Sequence, residues 1–198
     1  MKVAVIRTGT ANLASAVAGL QRAGVQAELT SDPDVVRQAQ AVMLPGVGAF
    51  AAAMAELRQT GLDAAITERF LANRPLLCIC LGLQVLANSS EESPGTPGLG
   101  VIDAAVTRFT GAVRVPQLGW NTVEPTAEAR LLHPGYAYFA NSFKLDAIPD
   151  GYHGAWAEHG TRFVAAIERG PVLACQFHPE LSGDWGQALL ARWLGTTC

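Results

Sequence analysis

Positive charge and long apolar runs are both scarce in this chain of 198 residues. The formal net charge is −3, and the lysines and arginines are scattered singly instead of forming a basic stripe. Nucleic acids and anionic membrane surfaces need such a stripe, so we predict neither as a partner. No stretch approaches the ~20 apolar residues that span a bilayer, and the apolar run at residues 3–6 is too short for a signal peptide. These absences predict a cytoplasmic protein.

Cysteine is also scarce, and glycine-rich phosphate loops are missing. The four cysteines, Cys78, Cys80, Cys175 and Cys198, are expected to be reduced thiols. Cys78 and Cys80 would share one face of a strand, but a Cys-x-Cys pair without neighbouring Cys or His is a poor zinc signature. Neither G-x-G-x-x-G nor G-x-x-x-x-G-K-S/T occurs, which argues against a nucleotide loop. We therefore predict no metal and no cofactor.

The composition is typical of one globular domain. Hydrophobic residues make up 49% of the chain and charged residues 16%, which indicates a large core. A chain of this length buries about 70% of its unfolded surface and needs neither disulfides nor metals to fold. We predict a single domain over residues 1–198, with a rather apolar surface that is compatible with a subunit interface.

Strands alternate with helices over the first half of the sequence. The predicted strands are apolar runs at residues 2–7, 25–29, 41–44 and 75–79. The predicted helices cover residues 12–23, 49–57, 62–71 and 81–87. This alternation favours an α/β fold with a mostly parallel sheet covered on both faces, whose ligands bind at the carboxyl ends of the strands.

The second half of the sequence has a different pattern of predicted secondary structure. After a loop rich in Ser, Pro and Gly at residues 88–98, the sequence breaks into short β-like segments before a final helix at residues 185–194. These segments predict the remaining strands of the main sheet and a small additional sheet. They lie at residues 101–109, 122–124, 136–140, 154–157, 163–167 and 172–177.

Cys80 lies where a predicted strand runs directly into a helix. Small residues, Cys78 and Gly82, stand two positions to either side, as a nucleophile elbow requires. The helix N-terminus that follows would favour thiolate over thiol at this position. The alternative is a buried structural cysteine, and we interpret Cys78, inside the strand, in that way.

A base and a residue to orient it follow another apolar run. His178 and Glu180 come after residues 172–177, and in an extended chain they would share a face. A carboxylate could then bond one ring nitrogen while the other faces a sulfur atom. The alternative is a histidine at a strand end that is merely solvated or bonded to the backbone.

A third segment could bind an oxyanion. Residues 45–50, Pro-Gly-Val-Gly-Ala-Phe, follow a predicted parallel strand and should reach the same sheet edge as Cys80. Their glycines permit backbone N–H groups to turn toward a ligand. An ordinary strand-to-helix turn is the simpler alternative.

Taken together, these segments resemble the class I glutamine amidotransferases. Members of that family carry a nucleophile segment close to Gly-x-Cys-x-Gly-x-Gln and a base segment His-Pro-Glu, here at residues 78–84 and 178–180. Within the family, the resemblance is strongest to glutaminase subunits of imidazole glycerol phosphate synthases. It extends over essentially the whole chain and includes residues 44–50, 115–121, 138–143 and 176–182.

The resemblance implies a flavodoxin-like three-layer sandwich and a role for each matching residue. Cys80 would attack the side-chain amide of L-glutamine to form a thioester, His178 would act as acid and base, and Glu180 would hold the imidazole. The implied substrate-binding residues are the backbone N–H groups of Val47 or Gly48 and of Leu81, with the side chains of Gln84 and Ser142.

The resemblance also implies a partner. The family passes ammonia into a cyclase subunit with a (β/α)8 barrel, with which the chain would form a heterodimer serving histidine biosynthesis. The implied contact residues are Asn12, Trp120, Asn121 and Tyr138, although Trp120 and Tyr138 could equally belong to the core.

Four departures from the family pattern leave Cys80, His178 and Glu180 intact. Cys78 stands where Gly is usual, Gln117 and Asn141 each replace a His, and residues 7–13 match the usual opening only loosely.

Three other functions remain open at this point. One is a subunit of anthranilate or aminodeoxychorismate synthase, although those tend to have Pro-Gly-Pro where residues 45–47 are Pro-Gly-Val. Another is a catalytically silent regulatory subunit. The third is a cysteine hydrolase that works without a partner.

Overall fold

A computed structural model of the chain describes residues 1–9 and 12–197. Residues 10 and 11, within the loosely matching opening segment, and Cys198 lie outside the described residues. The described strands are β1 (Lys2–Ile6), β2 (Gln26–Thr30), β3 (Ala41–Gly46), β4 (Leu76–Cys80), β5 (Ser89–Ser90), β6 (Ala105–Arg108), β7 (Gln117–Pro125), β8 (Gly135–Asn141), β9 (Phe143–Leu145), β10 (His153–His159), β11 (Thr161–Arg169) and β12 (Val172–Cys175).

Helices fill the connections of the first half and close the chain. They are α1 (Leu13–Arg22), α2 (Pro33–Gln38), α3 (Phe50–Thr60), α4 (Leu62–Leu71), α5 (Leu81–Gln84) and α6 (Gly183–Gly195), with a short 3-10 helix at Pro179–Leu181. Within the described part of the chain, no helix is both long and apolar enough to traverse a bilayer.

Nine strands form one sheet in the order β2-β1-β3-β4-β12-β11-β10-β7-β8. The pairs from β2 to β12 are parallel, and those from β12 to β8 are antiparallel. The sheet is therefore mixed, and its parallel part holds the strands predicted from the first half. Strands β5, β6 and β9 form the small additional sheet.

Two apolar clusters cover the two faces of the main sheet. Helices α1 and α6 contribute Leu20 and Trp193 to one cluster. Helices α2 to α5 contribute Val36, Phe50 and Phe70, among others, to the second. Helices on both faces of a central sheet are the predicted three-layer α/β sandwich, and burial of these apolar faces is its main source of stability.

Two helices differ from the sequence prediction. Helix α2 was not predicted because six residues are too few to show a helical period, although Asp32 caps it and Pro33 begins it. Helix α5 is a single turn, whereas a helix over residues 81–87 was predicted. The α-helical bonding ends there because the N–H groups of Leu86 and Ala87 bond three residues back, to the carbonyls of residues 83 and 84, at 3.2 and 3.1 Å.

Arg69 joins three segments of the parallel half. Its guanidinium donates to the carbonyl oxygens of Pro75, Val36 and Gln40 at 3.1, 3.0 and 3.0 Å, while only 2% of the residue is exposed. Burial, followed by the charge of Arg74, lowers the pKa of Arg69 to about 10. It is still protonated at neutral pH, so it satisfies all three acceptors.

We expect Arg69→Leu to lower the free energy of unfolding by about 3 kcal/mol, because buried acceptors lose their donors. Urea unfolding followed by circular dichroism measures this change. Arg130→Leu, at an exposed arginine, is the control and should change the same quantity by less than about 0.5 kcal/mol. Equal stability of the two variants would contradict the role assigned to Arg69.

Candidate active site

Cys80 occupies a sharp turn between β4 and α5. Its backbone has φ 54° and ψ −108°, a left-handed conformation that a non-glycine residue rarely adopts. Gly46 and Gly82 make the turn possible, because a Cβ at residue 46 would lie 2.8 Å from the Gly82 nitrogen and one at residue 82 would collide with the Leu44 carbonyl. The turn has the geometry of the elbow predicted for this segment.

The thiols of Cys78 and Cys80 differ in their positions. Cys78 is fully buried in β4, where burial raises the pKa of its thiol well above the ordinary value. Cys80 is 6% exposed and lines a cavity. Of these two thiols, only that of Cys80 is placed to meet a substrate.

His178 and Glu180 form a buried pair. The distance from His178 Nδ1 to Glu180 Oε1 is 2.8 Å, and the two residues are 4% and 6% exposed. The chain does not stay extended here, because the 3-10 helix begins at Pro179. Proline favours an extended residue before it and a helical turn at its own position, and this turn brings the carboxylate back to the imidazole.

Strand β8 anchors the histidine over the end of β4. The His178 N–H donates to the Tyr138 carbonyl at 2.9 Å, and the Ser182 hydroxyl donates to the His178 carbonyl at 2.6 Å. The same hydroxyl oxygen accepts the Tyr138 N–H at 3.0 Å. These bonds fix the backbone of His178, whose imidazole lies near enough to Cys80 for the sulfur to affect its pKa.

The environment of His178 favours the imidazolium. Burial by itself would lower the pKa of His178, but the hydrogen bonds and charges of Cys80 and Glu180 outweigh it and raise the pKa from 6.5 to about 10. The ring therefore carries a proton at neutral pH. Such a group can protonate a departing amine and is left as a neutral base afterwards.

Helix α1 supports Glu180 from behind. A Cβ at Gly19 would lie 2.9 Å from the Glu180 Cβ, so the close approach requires glycine. Arg22 donates to the Glu180 carbonyl at 3.0 Å. Oxygen Oε2 of Glu180 is buried without a partner in the described structure, so the carboxylate's bond to His178 has no competitor there.

A cavity of about 150 Å³ opens beside Cys80. All five residues predicted to bind substrate line it, and Gly48 has a φ of 102°, which a residue with a Cβ would rarely adopt. The lining residues are Val47, Gly48, Cys80, Leu81, Gln84, Glu92, Ala140, Asn141, Ser142 and Phe143. The carboxyl ends of β3 and β4 thus meet at one site, as the parallel pairing predicts.

Sequence reasoning missed Glu92 as a lining residue. Its carboxylate accepts the Phe50 N–H at 2.7 Å and offers negative charge to the cavity. The sequence predicts only a loop rich in Ser, Pro and Gly at residues 88–98, and an acidic residue in such a loop gives no signal by itself. The packing of that loop against α3 is what brings Glu92 to the site.

Gln117 and Asn141, two of the residues that depart from the family pattern, face each other across β7 and β8. Gln117 and Asn141 are cross-strand partners in β7 and β8, at 6% and 4% exposure. The side-chain oxygen of each is buried without a partner in the described structure. Where the family commonly has two histidines, this chain therefore has two uncharged amides side by side.

The residues predicted at a partner contact lie on the surface near this site. Trp120 is 59% exposed and packs edge-on against half-buried Tyr138, with ring centroids 6.3 Å apart. Neither is therefore a core residue. Asn121 donates to the Glu158 carbonyl at 2.7 Å, and exposed Asn12 caps α1 by accepting the Ser15 N–H at 3.3 Å.

A mixed sheet with a cysteine elbow, a His–Glu pair and a substrate-sized cavity defines a class of amide-hydrolysing enzyme. The family model for class-I glutamine amidotransferases matches residues 9–194, and the chain belongs to that family. It is 42% identical over 195 residues to imidazole glycerol phosphate synthase subunit HisH of Herpetosiphon aurantiacus, covering 97% of this chain and 93% of that one. The same subunit of Symbiobacterium thermophilum is 36% identical over 201 residues, covering 100% and 95%.

Solved structures show the same fold. A crystal structure of a glutamine amidotransferase matches with a TM-score of 0.79 at 22% identity, covering 98% of each chain. The structure of PurLQS from Thermotoga maritima matches with a TM-score of 0.72 at 16% identity, covering 98% of this chain and 97% of that one. The predicted fold class is therefore confirmed.

Proposed function

We propose that this chain is the glutaminase subunit of an imidazole glycerol phosphate synthase and supplies ammonia for histidine biosynthesis. The observation that carries the proposal is Cys80 at the wall of a cavity, with the buried His178–Glu180 pair nearby, in a chain similar to such subunits over its whole length. All of residues 1–198 form one glutamine amidotransferase domain in this proposal, and the protein acts in the cytoplasm.

The reaction proceeds in two halves. The Cys80 sulfur attacks the side-chain carbonyl carbon of L-glutamine, and the tetrahedral intermediate collapses to a γ-glutamyl thioester as the C–N bond breaks. His178 gives its proton to the leaving nitrogen, which departs as ammonia. The neutral imidazole then takes a proton from water, whose oxygen attacks the thioester; the C–S bond breaks, glutamate is released, and Cys80 leaves as a thiolate beside the restored imidazolium. Glu180 orients the imidazole throughout.

The cavity walls supply the remaining functions. Backbone N–H groups at Val47 or Gly48 and at Leu81 stabilise the oxyanion that forms on the glutamine carbonyl. Gln84 and Ser142 hold the substrate, and the Glu92 carboxylate pairs with its α-ammonium group. The volume of about 150 Å³ leaves room for one small amino acid.

Ammonia needs a protected route because in bulk water at neutral pH it would be mostly ammonium and unreactive. We place a (β/α)8 barrel cyclase subunit over the surface near Cys80, where it completes a heterodimer. Asn12, Trp120, Asn121 and Tyr138 form the contact. Neither nucleic acid nor a membrane takes part.

Trp120→Ala is expected to weaken the heterodimer by about 2 kcal/mol, or roughly 30-fold in Kd, because exposed tryptophans at an interface are frequent hot spots. Isothermal titration calorimetry with the cyclase measures this change. Leu71→Ala is the matched control, since Leu71 is 65% exposed on helix α4. An unchanged Kd for Trp120→Ala would place the contact elsewhere.

Glutamate release with and without the cyclase and its ribonucleotide ligand tests the function. We expect slow release by the chain alone and a strong rise in the complex. Robust cleavage of peptides or esters without a partner would instead indicate a hydrolase. Stimulation by an anthranilate or aminodeoxychorismate synthase subunit would indicate another amidotransferase, and no turnover in any mixture would indicate a silent regulatory subunit.

A further inference from the structure

A chain of side-chain amides connects the cavity wall to the sulfur of Cys80. Gln176 is fully buried two residues before His178, and its Nε2 lies 3.6 Å from Cys80 Sγ. Its Oε1 lies 3.1 Å from Gln84 Nε2, which also lies 3.2 Å from the Phe143 carbonyl oxygen. The two halves of the reaction proposed above make no use of Gln176.

One backbone carbonyl determines the direction of every hydrogen bond between these side-chain amides. The Phe143 carbonyl oxygen can only accept, so the Gln84 atom that faces it is the amino nitrogen. The same nitrogen faces Gln176, whose nearer atom must then be its carbonyl oxygen. The opposite end of the Gln176 amide, its amino group, is therefore turned toward Cys80.

An N–H group directed at sulfur favours the charged form of that sulfur. A hydrogen bond to the ionised form of a group stabilises that form, and the thiolate is the nucleophile of a cysteine enzyme. The thiol form has a poorer partner, because the Ala140 carbonyl oxygen is 3.9 Å from Sγ. Helix α5, a single turn, contributes only a small dipole, so direct hydrogen bonds carry more of this task.

We infer that Gln176 is a positioning residue of the active site, which donates an N–H···S hydrogen bond to Cys80, favours its thiolate, and is itself oriented by Gln84. The inference rests on the proposed role of Cys80 as nucleophile. Because Gln84 also lines the cavity, the substrate-binding wall and the nucleophile share one hydrogen-bond network.

The test is the pH dependence of Cys80 alkylation by iodoacetamide in the full chain without glutamine, with Cys80→Ala as the blank. Gln176→Met keeps the length of the side chain and removes the donor. We expect it to move the midpoint for thiolate formation upward by about one pH unit, because a hydrogen bond to a charged group contributes roughly tenfold or more. Gln84→Met, which removes only the orienting bond, should move the midpoint upward by less.

The rate ratio of native protein to variant provides a second signature. It should be largest below the native midpoint and approach one well above it, since both proteins are then fully thiolate. A merely structural role for Gln176 would lower stability or yield without this pH-dependent ratio. The titratable groups on the elements around Cys80 are unchanged in these variants; they are His178, Glu180, Glu92, Cys78 and Cys175.

Gln187→Met, the same replacement on helix α6 outside the cavity, is the control and should leave the midpoint unchanged. Gln176→Glu is a second variant of the same size; its negative charge beside the sulfur should raise the midpoint at least as far as methionine does. If both Gln176 variants fold and alkylate with the native profile, the inference is overturned, while glutamine hydrolysis that depends on Cys80 would still support the proposed function.

Discussion

Replacing Cys80 with alanine is expected to reduce glutamine-dependent synthesis by the heterodimer at least about a thousandfold, because no other group can form the thioester. Synthesis from added ammonium salt should continue at close to its native rate, since the acceptor chemistry belongs to the partner. Both rates are measured on the same purified complex, with glutamine or ammonium salt as the nitrogen source. The contrast between them locates the defect in ammonia production.

Cys78→Ala is the matched control for this experiment. Cys78 lies two residues away in the same strand and is fully buried, so its loss should leave most of the glutamine-dependent rate. Loss of both the glutamine-dependent and the ammonia-dependent rates in Cys80→Ala would contradict the division of labour between the subunits. Retention of glutamine-dependent synthesis in Cys80→Ala would refute the assignment of the nucleophile.

His178→Asn is expected to lower glutamine-dependent turnover by about 10²–10⁴-fold, since in the proposed mechanism this one side chain protonates the leaving nitrogen and then takes a proton from water. Asparagine is similar in size and neutral, so it removes the proton-transfer function with little change in packing. Release of glutamate by the complex is the measurement. His133→Asn, at an exposed histidine, should retain the native rate.

The same variant should also change how stability depends on pH. The pKa of His178 is raised from 6.5 to about 10 in the folded chain, so its stabilising contribution is complete below pH 6.5 and disappears as pH rises through about 10. We expect the native protein to lose stability relative to His178→Asn across this interval, by an amount on the order of a few kcal/mol. Urea unfolding of both proteins at several pH values checks the prediction.

A constant difference in stability between these two proteins from neutral to alkaline pH would show that the imidazole titrates normally. In that case the interaction with Cys80 and Glu180 would not hold the imidazolium, and His178 would start the reaction as a neutral base. The dependence of stability on pH therefore shows whether the reaction starts from a thiolate–imidazolium pair or from a neutral thiol and imidazole.

The sequence predicted the parallel half of the sheet well. Strands β1, β3 and β4 appear as short apolar runs, and β1 and β3 are each followed by a helix with clear periodicity. A strand buried on both faces must be apolar along its whole length, so it can be recognised in the sequence as a continuous apolar run. Helix α2 and the mixed character of the sheet were not visible, because six residues show no period and strand direction depends on distant pairing.

The sequence by itself determined the chemistry of the site. Cys80 between small residues, and His178 and Glu180 around Pro179, are local patterns that steric limits on the backbone make recognisable. Their family resemblance then identified the reaction, and the substrate-binding residues followed from the same motifs.

Only the tertiary structure decided which side chains share the cavity. Glu92 lies at the cavity because the loop that carries it packs against α3. Gln176 lies beside Cys80 because β12 pairs with β4, although Gln176 and Cys80 are 96 positions apart in the sequence. Contacts of this kind depend on strand order and register, which no local pattern encodes. The direction of the hydrogen bonds between these amides depends in turn on a single carbonyl, that of Phe143, whose position is set by the start of β9.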